Sequence, residues 1–275
     1  MKGFISTVGQ ASSLSSSLEN ILLLPNKTPL SLLLQRSLIA LLLFVALTAT
    51  AQTNALSTPE IQGRALAQKI LRQLQQPPAA NSTNTGTLDI RDPHHKRTQV
   101  PLTFKIVVTE TNWQTIYEAN TSNGVEKLTL LRAPFQSSQL AYAPPVAQPA
   151  LSGDSLLEQP FAQSDFTIGD LDLAFFGWPG QKALRREVHR SCGCTVLEST
   201  NPDPSATGYS RVQSWIDNDS LGIVEAYAYD SHGKLLKDFE PKDLKKVNGQ
   251  YQVQTMLMEN VQTGARTRME FNLKP

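Results

Sequence analysis

The chain offers almost no net charge to a charged partner. Its 275 residues carry 25 Lys and Arg against 24 Asp and Glu. Lys2, Lys27, Arg36 and Glu19 fall within the first 51 residues, which leaves 22 basic and 23 acidic side chains in residues 52–275. A protein that neutralises nucleic-acid phosphates carries a basic excess, so no nucleic acid is expected as a partner. The local exception, His94-His95-Lys96-Arg97, follows Asp92-Pro93 and reads as a solvated loop, because Asp-Pro initiates turns. Cysteine is scarce as well. Only Cys192 and Cys194 are present, and neither follows the apolar N-terminal segment closely enough to carry a lipid anchor. Long apolar runs are missing too: residues 38–47 form a run of ten, well short of the roughly 20 needed to span a bilayer.

That short run is informative for what flanks it. Arg36 precedes it and Ala49-Thr50-Ala51 follows, a small-x-small pattern, so residues 1–51 read as a secretory signal cleaved after Ala51. The part before Arg36 is unusually long for such a signal, rich in Ser and Leu, with a second apolar patch at residues 21–24. Residues 52–275 are then expected in the periplasm as one domain.

Constellations for catalysis are also lacking. Asp230-Ser231-His232 holds the residue types of a hydrolase triad, but three consecutive residues cannot align as nucleophile, base and orienter. Asp217-Asn218-Asp219-Ser220 lacks the later Gly and Glu of a calcium loop. Both read as turns. The Cys192-Gly193-Cys194 pair leaves three readings open: buried thiols, a possible disulfide, or redox and metal chemistry. A strand sets the pair on one face, where a relaxed disulfide is awkward, and His189 alone does not complete a metal set. No catalytic residue and no metal are therefore expected.

What the sequence does contain is periodicity. Ile61, Leu66, Ile70, Leu71 and Leu74 share one face of a helix over residues 59–76, with Thr58 as cap, Pro59 in the first turn and Pro77-Pro78 as the stop. A polar linker, residues 79–85, follows. The period then changes to two. Strands are predicted over residues 86–92, 100–110, 112–120 and 125–132, with Leu102, Phe104, Ile106 and Val108 alternating on one side of the second, and Asn123-Gly124 turning between the last two. Residues 133–163, rich in Pro, Ala, Gln and Ser, form a long connection without predicted structure. A short acidic-aromatic helix is predicted from Ser164. It places Ile168, Leu171, Phe175 and Phe176 on an apolar stripe, with Asp170 and Asp172 facing away. Strands resume over residues 182–192, 194–200, 208–217, 221–230, 234–240, 250–261 and 265–273. About eleven antiparallel strands exceed what a flat sheet usually carries, so an incomplete, half-open β-barrel with a few helices on its concave face is the expected α+β architecture.

The order of features resembles a known family. Ser164-Asp165-Phe166 to Asp170-Leu171, Phe175-Phe176-Gly177-Trp178-Pro179, Cys194-Thr195-Val196-Leu197-Glu198, Tyr209 to Trp215-Ile216-Asp217, Gly233-Lys234-Leu235-Leu236-Lys237 and Met256-Leu257-Met258-Glu259-Asn260 are similar to the outer-membrane lipoprotein-sorting family, whose members share the fold of the periplasmic carrier LolA. The resemblance implies no cofactor and an apolar cavity for the acyl chains of a lipid or lipoprotein. It also implies an inner-membrane donor protein and an outer-membrane acceptor protein. Phe104, Ile106, Leu171, Phe175, Phe176, Trp178 and Trp215 are the residues expected to line that cavity. An envelope-lipid sensor or interaction protein, and a thiol-redox protein acting through the Cys-Gly-Cys pair, are the alternatives.

Overall fold

Alternating apolar and polar side chains must point to opposite faces of an extended chain, and twelve strands follow that rule. The computed structural model describes residues 57–247 and 250–273. The expected export signal and its cleavage position at Ala51 lie outside the described residues. The strands are β1 Ser82–Arg91, β2 Arg97–Val108, β3 Trp113–Thr121, β4 Gly124–Arg132, β5 Gln139–Ala143, β6 Gly180–His189, β7 Cys192–Thr200, β8 Arg211–Asp217, β9 Ile223–Tyr229, β10 Leu235–Val247, β11 Gln250–Asn260 and β12 Arg266–Phe271. They form a single antiparallel sheet in the order β5-β4-β3-β2-β1-β12-β11-β10-β9-β8-β7-β6.

That order has a mechanical consequence. Strands β1 to β5 run outward to one edge, whereas β6 to β12 start at the other edge and return to the middle, where β12 pairs with β1 through Gly86↔Phe271 to Arg91↔Arg266. The connection from β5 to β6, residues 144–179, must therefore cross the whole sheet. It does so over the inner face, as a strap of short pieces: α2 (Asp154–Leu157), a 3-10 turn at Phe161–Gln163, α3 (Ile168–Asp172) and a second 3-10 turn at Ala174–Gly177. Phe161, Phe166, Ile168 and Leu171 of the strap pack with Leu88, Leu102, Leu128, Leu130 and Met269 on one half of the sheet. Phe175 and Phe176 pack with Leu197, Val212, Ile216 and Ala226 on the other half.

The helix before the sheet, α1, spans Thr58–Leu74. Its cap is Ser57 rather than Thr58: the Ser57 amide donates to Glu60 Oε2 at 2.7 Å, as in a capping box. Its sheet-facing residues are Gly63, Ala67 and Ile70, while Ile61 is 56% exposed. Small residues face the sheet because the helix lies directly on the backbone of β6. A Cβ at Gly63 would come within 2.5 Å of the Lys182 amide nitrogen.

Four further expectations need correction. Strand β1 begins at Ser82, inside the predicted linker, because its Ser, Thr and Asn residues are held by backbone pairing with β2 from Ser82↔Ile106 onward and not by an apolar pattern. The connection 133–163 contains β5, whose five residues offer only Leu140 and Tyr142 to the core. Strand β10 continues past Pro241 to Val247, since a bulge between Pro241 and Asp243 absorbs the missing proline N–H. The strap helix is also shorter than predicted. Thr167 caps α3, its hydroxyl accepting from the Asp170 amide at 3.2 Å, and Leu173, at φ 55°, ends it.

Candidate binding site on the concave face

The strap does not fill the concavity. A cavity of about 390 Å3 opens at its rim, lined by Leu157, Ala174, Phe175, Trp178, Leu236 and polar residues of the adjoining turns. A residual void of about 20 Å3 lies deeper, between Leu173 and Phe175 of the strap and Val212, Ala226, Ala228, Phe239 and Met258 of the sheet. Asp170, Phe175, Tyr209 and Lys237 line both. An apolar interior with a few convergent polar groups is the usual form of a small-molecule site.

Those polar groups tie the strap to both halves of the sheet. Lys237 on β10 is buried; its Nζ donates to the Asp165 carbonyl at 2.5 Å and lies 3.5 Å from Asp170 Oδ2. The Tyr209 hydroxyl donates to the same Asp170 oxygen at 3.1 Å, and burial pushes its pKa well above the usual tyrosine range. On the far side of α3, Asp172 pairs with Arg132 of β4 at 2.9 Å, both side chains nearly buried. Burial raises the Asp172 pKa, and the Arg132 charge opposes the rise. Asp165 accepts from the Thr267 hydroxyl at 2.8 Å, while its own amide donates to that hydroxyl at 2.9 Å. Burial also raises the Asp165 pKa, against Thr267 and Lys237.

Two buried polar residues shape the strap turns. Glu126 accepts from the Tyr142 hydroxyl and from the Ala162 amide, both at 2.9 Å, which fixes a turn where Ala162 and Gln163 take φ of 54° and 57°. Gln181 donates to the carbonyls of Phe175 at 3.0 Å and Trp178 at 2.9 Å, and its Oε1 accepts from Ser199 at 2.9 Å. The aromatic turn is thereby clamped to β6 and β7.

Six of the seven residues expected to line the cavity share this inner side. Phe104 is half-buried, its ring tilted against those of Tyr117 at 5.1 Å and Phe271 at 5.2 Å between centroids, and Ile106 lies two residues along the same face. Leu171, Phe175 and Phe176 are buried on the sheet-facing side of the strap, and Trp178 is half-exposed at the rim. Trp215 is not among them. It alternates out of phase with Val212 and Ile216, and so lies on the convex face over Cys194 and Val196. There it stacks on His189 at 4.9 Å and donates to Glu187 at 2.5 Å. Cys192 and Cys194 are free thiols beside it, and burial pushes the Cys194 thiol up. Asp230-Ser231-His232 forms the β9–β10 turn, with Asp230 Oδ1 accepting from the amides of His232 and Lys234, each at 2.9 Å. The stretch from Asp217 to Ser220 turns between β8 and β9.

Asp170 and Asp172, expected to face away from the apolar stripe, are both paired with basic residues of the sheet. Lys237 and Arg132, their partners, come from 67 and 40 residues away, and no local pattern connects them. Glu126 and Gln181 carry no sequence signal either, beyond being polar residues on inward strand positions.

A family model described as "-like: Uncharacterized protein" matches residues 114–273, more than half of the chain. The chain belongs to that family. No curated protein sequence matches it. Solved structures identify the fold. A DUF1329 family protein from Desulfovibrio piger is 18% identical over 78% of this chain and 92% of its own, with a TM-score of 0.58. A putative outer membrane lipoprotein-sorting protein domain from Vibrio parahaemolyticus is also 18% identical, with the same coverage and a TM-score of 0.57. A LolA superfamily protein from Nitrosomonas europaea is 19% identical over 75% of this chain and 91% of its own, with a TM-score of 0.52. This member of the family therefore has the LolA-like open-barrel fold, the half-open antiparallel architecture expected from its strand pattern.

Proposed function

We propose that the protein is an exported carrier that receives an acyl chain of a lipid or lipoprotein between the strap and the concave face, and moves it toward the outer membrane. The observation that carries this reading is the site itself: a rim cavity with an apolar wall of Leu157, Ala174, Phe175, Trp178 and Leu236 among polar turn residues, continued by shared lining residues into a largely apolar void under a strap made only of short pieces. The lipoprotein-sorting description of the Vibrio parahaemolyticus domain supports the same class of cargo. Cleavage of residues 1–51 would release residues 52–275 into the periplasm as a single carrier domain.

The energies favour reversible loading. Enclosing a chain of ~16 carbons contributes on the order of 10 kcal/mol at about 0.8 kcal/mol per methylene. Displacing the strap exposes Phe166, Ile168, Leu171, Phe175 and Phe176, which are buried in the empty form. Each exposure costs about 1.5–3 kcal/mol, so lifting most of the strap offsets the greater part of the gain. A lipid held by this small margin stays in water yet can be handed on. No step of this cycle needs a reacting group, and the raised Cys194 pKa disfavours the thiolate that redox chemistry would require.

The test is binding of a pyrene-labelled fatty acid, followed by fluorescence. Phe175→Asp places a charge in the lining of both cavities and is expected to abolish binding with the β-sheet circular dichroism retained. Trp215→Phe, on the convex face, should leave binding unchanged. Equal binding by the parent and Phe175→Asp would refute the concave face as the acyl site.

A further inference from the structure

On the convex face, away from the strap, lies a second and larger cavity of about 650 Å3 whose lining is strongly basic: Arg91, Arg97, Arg266, Arg268 and Lys242, with Asp89 as its one carboxylate. Sheet register explains the clustering. Arg91 stands opposite Arg97 on β2 and opposite Arg266 on β12, so three arginines form a row across three adjacent strands. Like charges directly opposite each other destabilise a sheet.

Some of this charge is answered. Arg97 pairs with Asp89 at 2.7 Å, Arg268 reaches Glu270 at 3.3 Å and Asp243 at 3.6 Å, and Lys242 pairs with Glu240 at 2.5 Å. The centre of the row is not. Among the described residues neither Arg91 nor Arg266 is in ion-pair contact with a carboxylate, although Glu259 stands across from Arg266 on β11. Arg91 donates instead to His95 Nδ1 at 3.0 Å. His95 is held there by a rigid turn, in which Asp92 Oδ1 accepts from the amides of His94 and Lys96, each at 2.9 Å.

Two unanswered guanidiniums side by side, flanked by two more at the wall of a headgroup-sized cavity, match an anion with several oxygens and more than one charge. We propose that this cavity binds a phosphate-bearing anion, held by Arg91 and Arg266 with Arg97 and Arg268 at its flanks. The site is on the opposite face from the acyl cavity and does not rest on the carrier reading. Its phosphate belongs either to a soluble compound or to the headgroup of an anionic lipid, and the two sources separate experimentally.

The purified protein is titrated calorimetrically with inorganic pyrophosphate at low salt, and cosedimented with vesicles of equal parts phosphatidylglycerol and phosphatidylcholine, with pure phosphatidylcholine vesicles as control. Loss of one charge-assisted contact corresponds to a weakening of about tenfold or more, and this is expected for Arg91→Gln and for Arg266→Gln. Pyrophosphate binding that follows this pattern identifies a soluble source; vesicle binding that follows it without pyrophosphate binding identifies a lipid headgroup. Because the substitutions relieve a like-charge row, the unliganded variants should melt at the parent's temperature or above it. Absence of binding to both probes overturns the proposal. So does binding that both variants leave unchanged, whatever their melting temperatures.

Discussion

The amide side chain of Gln181 satisfies two strap carbonyls and a buried hydroxyl at once, although it sits beneath aromatic rings. Gln181→Ala would leave the carbonyl of Trp178 and the hydroxyl of Ser199 without partners, and the carbonyl of Phe175 with only the Trp178 amide at 3.3 Å. A loss of about 3 kcal/mol in urea unfolding is expected, since each buried unsatisfied group costs roughly 1–3 kcal/mol. A loss no larger than that of a surface substitution would mean that the aromatic turn is held by packing alone. Asp165 gives a prediction in pH. Burial raises its pKa above the ordinary 3.8, so the folded chain takes up this proton at a higher pH than the unfolded chain does. Stability from this group therefore rises as pH falls through the raised value, and levels off below about 3.8. Asp165→Asn removes that contribution, while other carboxyls titrate alike in both proteins. The parent's stability margin over Asp165→Asn should grow as pH falls from about 7 toward about 4, as urea midpoints across that range would show; a margin that shrinks would contradict the assignment.

At the scale of elements, α3 is the part that most needs explaining. It has five residues, too few to be stable by helix propensity, and is held by Asp170 toward Lys237 on one side and by Asp172 toward Arg132 on the other. Breaking a buried pair by removing one partner costs about 3–5 kcal/mol. Lys237→Met should therefore release the strap selectively: amide hydrogen exchange is expected to speed up across residues 161–177 and to stay unchanged in β1 to β4. A uniform acceleration over the whole sheet would show that strap and sheet unfold as one unit. Alternation made most strands legible in the sequence, because burial on one face dictates a period of two. The strap was legible only as an apolar stripe. Its charged anchors were legible only as the side opposite that stripe, since Asp170 and Asp172 show polarity locally and their partners lie far along the chain. Strand β5 was hidden because five residues give too few inward positions to establish a period. Trp215 was misplaced for a related reason. An aromatic residue signals burial but not which face is buried, and the convex cluster over Cys194 and Val196 buries it as fully as the core would.

For the molecule as a whole, one pairing decides the shape. The β1–β12 contact joins the first and last strands of the described chain at the centre of the sheet and leaves β5 and β6 as free edges, and from that arrangement the strap, its crossing and the enclosed cavity follow. Nothing local in either strand specifies this pairing, so the order of strands was not readable from the sequence even where the strands were. The same register assembles the arginine row on the convex face from residues that the sequence scatters across three strands. The central claim, that the concave face is an acyl site, is tested most directly by native mass spectrometry of the protein purified without delipidation. One acyl-bearing molecule per chain is expected, present in the parent and absent from Phe175→Asp. A parent protein that carries no lipid, or a variant that carries the same lipid to the same extent, would contradict the account.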